Sequence, residues 1–179
     1  YQQFHRLMRR LDLRPGQDVF VDYGSGLGRA VVLAATYPFR KVVGVELSTS
    51  LTETAKQNLK TVKLPLKCKN VELHNTDARA FKVPADANIL FFCSPFSGSI
   101  LKKVLDNVWQ SVRQHPRQVR VVYAHPPGGD CLNDIISEVP YLTDRKSLDV
   151  GNGLQMESYT IDPPAAAAKD VQTAAAQAA

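Results

Sequence analysis

Apolar residues recur along this chain in two alternating patterns. Short runs of successive apolar residues predict buried strands, and apolar residues spaced three or four apart predict helices with one apolar face. An amphipathic helix is predicted over 2–12. Strands are predicted over about 18–22, 41–46, 70–74, 87–93, 119–124, 141–148 and 154–161. Helices are predicted over about 29–37, 50–62, 98–113 and 130–138.

This alternation of strands and helices predicts an α/β fold with a parallel sheet covered by helices on both faces. In such sheets, ligands bind beyond the carboxyl ends of the strands. Polar residues stand at those predicted ends, and they are Asp22, Glu46, Asp77, Ser94 and His125. The sequence therefore predicts a ligand site at this edge of the sheet.

The stretch 19–29, VFVDYGSGLGR, joins the first strand to the next helix through a glycine-rich turn. A dinucleotide turn of the form G-x-G-x-x-G would need a glycine where Arg29 stands. A pyrophosphate also needs bare backbone donors, and Asp22 immediately before the turn would repel it. The turn therefore favours a ligand that has a cationic end and no phosphate.

S-adenosylmethionine is such a ligand. Glu46 is placed to accept from the ribose hydroxyls, Asp77 is placed to accept from the adenine amino group, and the glycines let the backbone approach the amino-acid part. The alternative is that Glu46 caps the next helix and Asp77 forms a local turn. The predicted cofactor-binding residues are Asp22, Tyr23, Gly24, Ser25, Gly26, Gly28, Arg29, Glu46, Leu47, Asp77 and Ala78.

Composition narrows the class of protein. At 179 residues, with 44% hydrophobic and 22% charged residues, the chain is typical of one globular domain. No run reaches the roughly 18 apolar residues of a membrane span. The three cysteines are far apart and form no C-x-x-C pair, so neither a disulfide framework nor a metal site is expected and a reducing, cytoplasmic setting fits. The net charge of +5 permits a nucleic-acid partner but equally fits a solvated basic surface.

Over about residues 15–161 the chain resembles the class I S-adenosylmethionine-dependent methyltransferases. The stretches FVDYGSGLGRAVVLAA, FRKVVGVELS and HPRQVRVVY resemble a group of small bacterial methyltransferases of mostly unassigned substrate. The FVD-x-GSG and GVE stretches also resemble the disruptor-of-telomeric-silencing type of histone lysine methyltransferase. The resemblance implies a Rossmann-like seven-stranded sheet of order 3-2-1-4-5-7-6 with an antiparallel last strand, and S-adenosylhomocysteine as product.

The chain is accordingly divided into three parts. Residues 1–14 form an N-terminal helix, which could close over the cofactor as a lid through Tyr1, Phe4 and His5 or pack against the sheet. Residues 15–162 form the methyltransferase domain. Residues 163–179 form an Ala-rich tail.

The acceptor should approach the ends of the fourth and fifth strands. Ser94, Pro95 and Phe96 stand where the small bacterial group usually has Asn-Pro-Phe, so the resemblance implies a grip on the acceptor there. Ser94 has a shorter arm than Asn, and the alternative for Phe96 is a place in the core. His125 could act as a general base or be a hydrogen-bonded loop residue, and Cys93 could relay a methyl group or be a buried small hydrophobe.

The sequence therefore predicts a methyltransferase acting on an unidentified acceptor, either a small molecule or a protein side chain such as lysine. One alternative is a nucleic-acid-binding or nucleic-acid-methylating protein that uses Lys60, Lys63, Lys67, Lys69 and the N-terminal arginines. Another is a non-catalytic domain on the same fold, to which the replacement at Ser94 points. The oligomeric state is left open.

Overall fold

Strands and helices alternate through residues 2–96, 98–129, 131–151 and 154–164, which the computed structural model describes. The strands are β1 (Val19–Tyr23), β2 (Lys41–Glu46), β3 (Val71–Asn75), β4 (Ile89–Cys93), β5 (Val119–His125), β6 (Thr143–Ser147) and β7 (Gln155–Ile161). The helices are α1 (Gln2–Arg10), α2 (Arg29–Ala35), α3 (Thr49–Thr61), α4 (Gly98–Gln114) and α5 (Cys131–Ile135), the last followed by a 3-10 turn over Ile136–Glu138.

The strands form one sheet in the order β3-β2-β1-β4-β5-β7-β6. Strands β1 to β5 pair in parallel, whereas β7 pairs antiparallel with both β5 and β6. This confirms the expected fold, including the insertion of the last strand between the fifth and the sixth. Because β7 runs backwards, it begins at the edge of the sheet where β1 to β5 end.

Successive residues of the central strands point to opposite faces of the sheet. On one face, Phe20 and Phe91 pack with α1 and α2, while on the other Val21 and Leu90 pack with α4 and α5. Helix α3 lies beside α2, since its Ala55 faces Gly28 at the start of α2. The helices therefore divide into α1, α2 and α3 on one face and α4 and α5 on the other.

The predicted boundaries differ from the structure by one or two residues at the ends of most strands and helices. Strand β4 begins at Ile89 rather than at 87, because the side chain of Asn88 forms hydrogen bonds with residues at the start of β1. Its Oδ1 accepts from the backbone N–H of Val19 at 2.8 Å, and its Nδ2 donates to Asp18 at 2.7 Å. Asn88 thereby holds the start of β1 beside the start of β4.

Helix α1 packs on the sheet through a buried apolar face. Phe4 makes edge contacts with Phe20 and Phe91, at ring-centroid distances of 6.1 and 5.9 Å. This contact corresponds to packing against the sheet, which is the alternative to a lid over the cofactor for the N-terminal helix. Tyr1 and most of the predicted tail, residues 165–179, lie outside the described residues, and the division of the chain into three parts stays a prediction.

Candidate functional site

The glycine turn after β1 needs glycine for two separate reasons. Gly24, Gly26 and Gly28 have φ values of +74°, +53° and +76°, which other residues adopt only with strain. A Cβ on Gly24 would also lie 2.5 Å from Cβ of Pro95, and one on Gly28 would lie 2.9 Å from Cβ of Ala55. The turn therefore lies directly against the end of β4 and against α3.

Main-chain hydrogen bonds fix the same turn to the end of β2. The N–H groups of Gly24 and Ser25 both donate to the carbonyl oxygen of Val45, at 2.8 and 3.0 Å. Ser25 is buried, whereas Arg29 is exposed at the start of α2. The turn thus depends on backbone groups of β2, and the strand pairing of β1 with β2 puts those groups in reach.

Glu46, the last residue of β2, joins the glycine turn to α3. Its Oε2 accepts from the N–H of Gly26 and its Oε1 accepts from the N–H of Ser48, both at 2.9 Å. Ser48 is the N-cap of α3. A carboxylate oxygen has a second lone pair, so Glu46 can still accept one further hydrogen bond on each oxygen. That capacity matches a ligand with two adjacent hydroxyl groups.

A cavity of about 270 Å³ opens beside Glu46 at the carboxyl edge of the sheet. It brings together seven of the predicted residues, namely Gly24, Glu46, Leu47, Asp77, Ala78, Pro95 and Phe96. Four further residues, Val45, Thr76, Arg79 and Ile100, line it as well and were not predicted. Its volume is close to the lower end of small-molecule pockets, about 300 Å³, so it suits only part of a larger ligand, such as a nucleoside-sized group.

Asp77 lines this cavity with its charge already paired. Its Oδ1 accepts from the backbone N–H of Arg79 at 2.8 Å, and the Arg79 guanidinium donates to Oδ2 at 2.6 Å. These hydrogen bonds hold the pKa of the Asp77 carboxyl below its ordinary value. Glu46 and Asp77 therefore both serve the local backbone, as the alternative interpretation expected, and both also line the cavity. The spacing Asp-x-Arg was the signal that could have indicated Arg79.

Asp22 lies under the turn rather than in this cavity. It is buried on β1, and burial, with a contribution from the charge of Glu46, raises the pKa of its carboxyl to about 7. A buried carboxyl that ionises near neutrality gains from a nearby cation. Asp22 can therefore balance a positively charged ligand above the turn.

Tyr23 takes no part in the cavity through its side chain. The ring is fully buried, and it stacks on Phe92 at a centroid distance of 4.9 Å with an interplanar angle of 2°. Its hydroxyl has no hydrogen-bond partner among the described residues, and burial raises its pKa. Only the backbone of Tyr23 is available to a ligand at the turn.

The predicted acceptor grip, Ser94, Pro95 and Phe96, follows directly after β4. Ser94 has a φ of +43°, and its Oγ donates to the carbonyl oxygen of Ala124 at 3.2 Å, so the hydroxyl is engaged by the neighbouring strand. Phe96 lines the same cavity as Glu46 and makes an edge contact with Phe92 at 6.4 Å. Cys93 is exposed, so the expectation of a buried small hydrophobe at that position is wrong.

His125 is the last residue of β5 rather than a loop residue, and its ring is buried. Its Nδ1 lies 3.0 Å from the carbonyl oxygen of Pro126, which can only accept, so Nδ1 carries the proton in the neutral ring. The ring also lies 5.5 Å from that of Tyr123. These contacts hold the imidazole in one orientation.

His125 lines a second cavity, of about 540 Å³, over the ends of β5 and β6 and the start of β7. Glu157 and Arg145 line it too, and the sequence analysis did not single out either of them. The Glu157 carboxylate accepts from Arg145 at 2.6 Å and from the hydroxyl of Tyr159 at 2.5 Å. Burial opposes ionisation of Glu157, but these hydrogen bonds outweigh it and lower the pKa.

The described part of the chain was also compared with the geometry of a metal site and of a membrane span in one respect each: the convergence of ligand side chains, and the length and apolar character of its helices. No group of three or more His, Cys, Asp or Glu side chains converges there as metal ligands. Among the same residues, no helix is both long and apolar enough to cross a membrane.

Comparisons with known proteins agree with this geometry. Residues 1–83 match the family model described as histone methylation protein DOT1. No curated protein has a similar sequence. The fold is shared with an RNA methyltransferase from Salinibacter ruber, solved with S-adenosyl-L-homocysteine, at 21% identity and a TM-score of 0.65 over 90% of this chain and 91% of that one.

Two further solved structures share the fold. A SAM-dependent methyltransferase from Aquifex aeolicus is 15% identical, with a TM-score of 0.70 over 88% of this chain and 89% of that one. TYW2 from M. jannaschii, solved with AdoMet, is 14% identical, with a TM-score of 0.61 over 91% of this chain and 77% of that one.

These findings confirm the predicted resemblance to class I S-adenosylmethionine-dependent methyltransferases and to the DOT1 type. The solved structures share the fold of this chain, and the DOT1 match lies in its first half.

Proposed function

We propose that this chain transfers a methyl group from S-adenosylmethionine, bound across the glycine turn and the cavity beside Glu46. The observation that carries the proposal is the position of Glu46, which lines that cavity and whose carboxylate accepts from the N–H groups of Gly26 and Ser48. One carboxylate thus fixes the glycine turn and faces the space where a ribose would lie. The DOT1 match over residues 1–83 spans both of these elements.

Different residues would bind the different parts of the cofactor. Glu46 would accept from the ribose hydroxyls, and Asp77 with Arg79 would border the adenine. The backbone of Gly24 and Gly26 would lie against the amino-acid part, and Asp22 beneath it would balance the positive charge. When bound, S-adenosylmethionine supplies an activated methyl group, so the protein mainly has to position the acceptor and remove its proton.

The acceptor would enter at the ends of β4 and β5. His125, whose Nδ1 donates to the carbonyl oxygen of Pro126, would be the base that takes the proton of the acceptor. Ser94 and Pro95 would border the approach. Phe96 lines the cofactor cavity, which supports contact with the adenosine part rather than with the acceptor.

The acceptor itself is either a small molecule or a protein side chain, and the DOT1 match favours a lysine amine. That match ends at residue 83, before the strands that border the acceptor. A second candidate is methylation of nucleic acid, favoured by the exposed lysines between α3 and β3 and by the shared fold of the RNA methyltransferase. We also infer a cytoplasmic setting, since all three cysteines are free thiols.

Calorimetry with S-adenosylhomocysteine tests the cofactor site. The wild-type protein should bind, and Glu46→Ala should weaken binding by about 1.5–3 kcal/mol because a charged acceptor is lost. Glu53→Ala is the matched control, since it removes an exposed carboxylate from α3 that pairs only with Lys56. Absence of wild-type binding at millimolar ligand, or an equal loss in both variants, would contradict the assignment.

Transfer of a labelled methyl group then separates the acceptor classes. Small amines, lysine-containing peptides and single-stranded RNA are the three arms of the assay. Labelling of one arm by the wild-type protein and its loss in His125→Ala would support the proposed base. Cofactor binding with no transfer to any arm would favour the non-catalytic alternative.

A further inference from the structure

The charges of this chain are divided unevenly between stretches of sequence. Residues 2–11, 23–45 and 54–71 together contain 11 of the 22 Lys and Arg residues and none of the 17 Asp and Glu residues. The remainder of the chain holds every acidic residue. A net charge of only +5 therefore conceals a strongly basic part and an acidic part.

The fold gathers these three stretches on one face. They contain α1, α2 and most of α3, the helices that share one side of the sheet. The N–H groups of Lys67 and Cys68 both donate to the carbonyl oxygen of Ala35, at 2.8 and 2.9 Å, which ties the loop after α3 to the end of α2. His5 on α1 contacts the Tyr37 hydroxyl at 2.6 Å. Segments far apart in sequence thus become one continuous surface.

A groove of about 580 Å³ lies where the three stretches meet. Its lining is mainly apolar and is formed by His5, Leu33, Thr36, Val62, Leu64 and Pro65. Lys63 stands between two of these lining residues, and Lys60, Lys67 and Arg9 are exposed on the same segments. We call this feature the basic groove.

The cations of the three stretches are not all paired with acidic residues. Lys41 pairs with Glu72 and Lys56 pairs with Glu53. By contrast, Lys60, Lys63 and Lys67 have no carboxylate within ion-pair distance among the described residues. Holding like charges together without partners disfavours the isolated protein and favours a polyanionic ligand.

The basic groove is separate from the cofactor cavity. Helix α3 starts close to Glu46 and has 13 residues, which gives a length of about 20 Å at 1.5 Å per residue. The loop that contains Lys63 and Lys67 begins only after its far end. The two cavities share no lining residue. A ligand in the groove would therefore dock away from the reacting atoms.

We propose that the basic groove binds the phosphate backbone of a single-stranded nucleic acid. Closely spaced phosphates match unpaired lysines that lie close together in the chain, and Lys60, Lys63 and Lys67 follow one another at the end of α3 and in the loop after it. A membrane surface fits less well, because Leu64 is the only large apolar side chain of these stretches near the groove that is substantially exposed among the described residues. The proposal goes beyond methyl transfer and does not specify the acceptor.

Fluorescence anisotropy with a labelled single-stranded RNA tests the proposal on the full chain. The variant K60A/K63A/K67A should bind roughly 100-fold more weakly at about 0.1 M salt, and the slope of log affinity against log salt should fall by about 2. The matched control K82A/K103A/R113A removes the same charge from exposed residues outside the three stretches. It should keep most of the affinity.

Other outcomes would overturn the proposal. Wild-type protein that fails to bind RNA at about 50 mM salt would do so, as would equal losses in the two triple variants. Stronger binding to anionic lipid vesicles, or equal competition by polyglutamate, would assign the groove to another ligand. S-adenosylhomocysteine binding should be unchanged in both variants. This measurement distinguishes a failure of the proposed cofactor site from a failure of the proposed nucleic-acid site.

Discussion

The two halves of the carboxyl edge of the sheet are built in different ways. The cofactor half contains the glycine turn and Glu46, and main-chain groups make most of its hydrogen bonds. The N–H groups of Gly24 and Ser25 donate to Val45, and those of Gly26 and Ser48 donate to Glu46. In the acceptor half, side chains hold one another, as Arg145 and Tyr159 hold Glu157. Backbone-built sites depend on local sequence and strand pairing, whereas side-chain sites depend on which strands happen to be neighbours.

The largest expected effect lies where the two halves touch, at Gly24 and Pro95. Gly24→Ala should lower the free energy of unfolding by about 2–5 kcal/mol, because the new Cβ adds backbone strain at positive φ and a clash with Pro95. Gly16→Ala is the control, since Gly16 has a φ of +71° but open space around it. It should cost only the strain, about 1–2 kcal/mol. An equal loss of unfolding free energy in the two variants, measured by urea unfolding, would show that Gly24 and Pro95 are not in close contact.

The next effect concerns the buried charge beneath the cofactor half. Because the pKa of Asp22 is raised to about 7 from its ordinary 3.8, the unliganded fold should lose stability as the pH rises between these values. A cationic ligand reverses this, so affinity for S-adenosylmethionine should rise with pH up to about 7, by at most about tenfold per pH unit.

Calorimetry from pH 5 to 8 measures this dependence. Asp22→Asn should abolish it, whereas Asp12→Asn, which changes an exposed carboxyl, should leave it in place. A pH profile that survives in Asp22→Asn would remove Asp22 from the cofactor half.

The smallest effect is expected at Ser94 in the acceptor half. Its φ of +43° is tolerated by Asn and disfavoured for a β-branched residue. Ser94→Thr should therefore lower the free energy of unfolding by about 1 kcal/mol although it keeps the hydroxyl, and Ser94→Asn should leave it within about 0.5 kcal/mol. Urea unfolding of the two variants side by side measures the difference. A loss in Ser94→Asn without a loss in Ser94→Thr would mean that the hydroxyl bond to Ala124, and not the backbone, governs this position.

Sequence reasoning predicted most of the residues that line the cavity beside Glu46, because their signals are local. The glycine turn, Glu46 and Asp77 each follow a recognisable apolar strand, and parallel strands bring their ends together. Arg79 was not predicted, because in the sequence it resembles an ordinary surface arginine. Only the structure shows its contact with Asp77. Phe96 stays a prediction for the acceptor site, and in the structure it lines the cavity beside Glu46.

The acceptor half was harder to predict, since it depends on the antiparallel strand. Glu157 faces Tyr123 because β7 pairs with β5, and their sequence separation of more than 30 residues gives no local pattern. His125 reads from sequence as either a loop residue or a base. Only the extent of β5 shows it to be the buried end of a strand.

The amino-acid sequence by itself determined the alternation of strands and helices, the glycine turn and the identity of the carboxylate beside it. Each of these follows from periodicity or from backbone conformation, which neighbouring residues control. The tertiary structure decided what lies across from what, including the pairing of Arg145 with Glu157 and the gathering of three acid-free stretches on one face. Such contacts join segments distant in the chain, and only the packed sheet brings their side chains within reach.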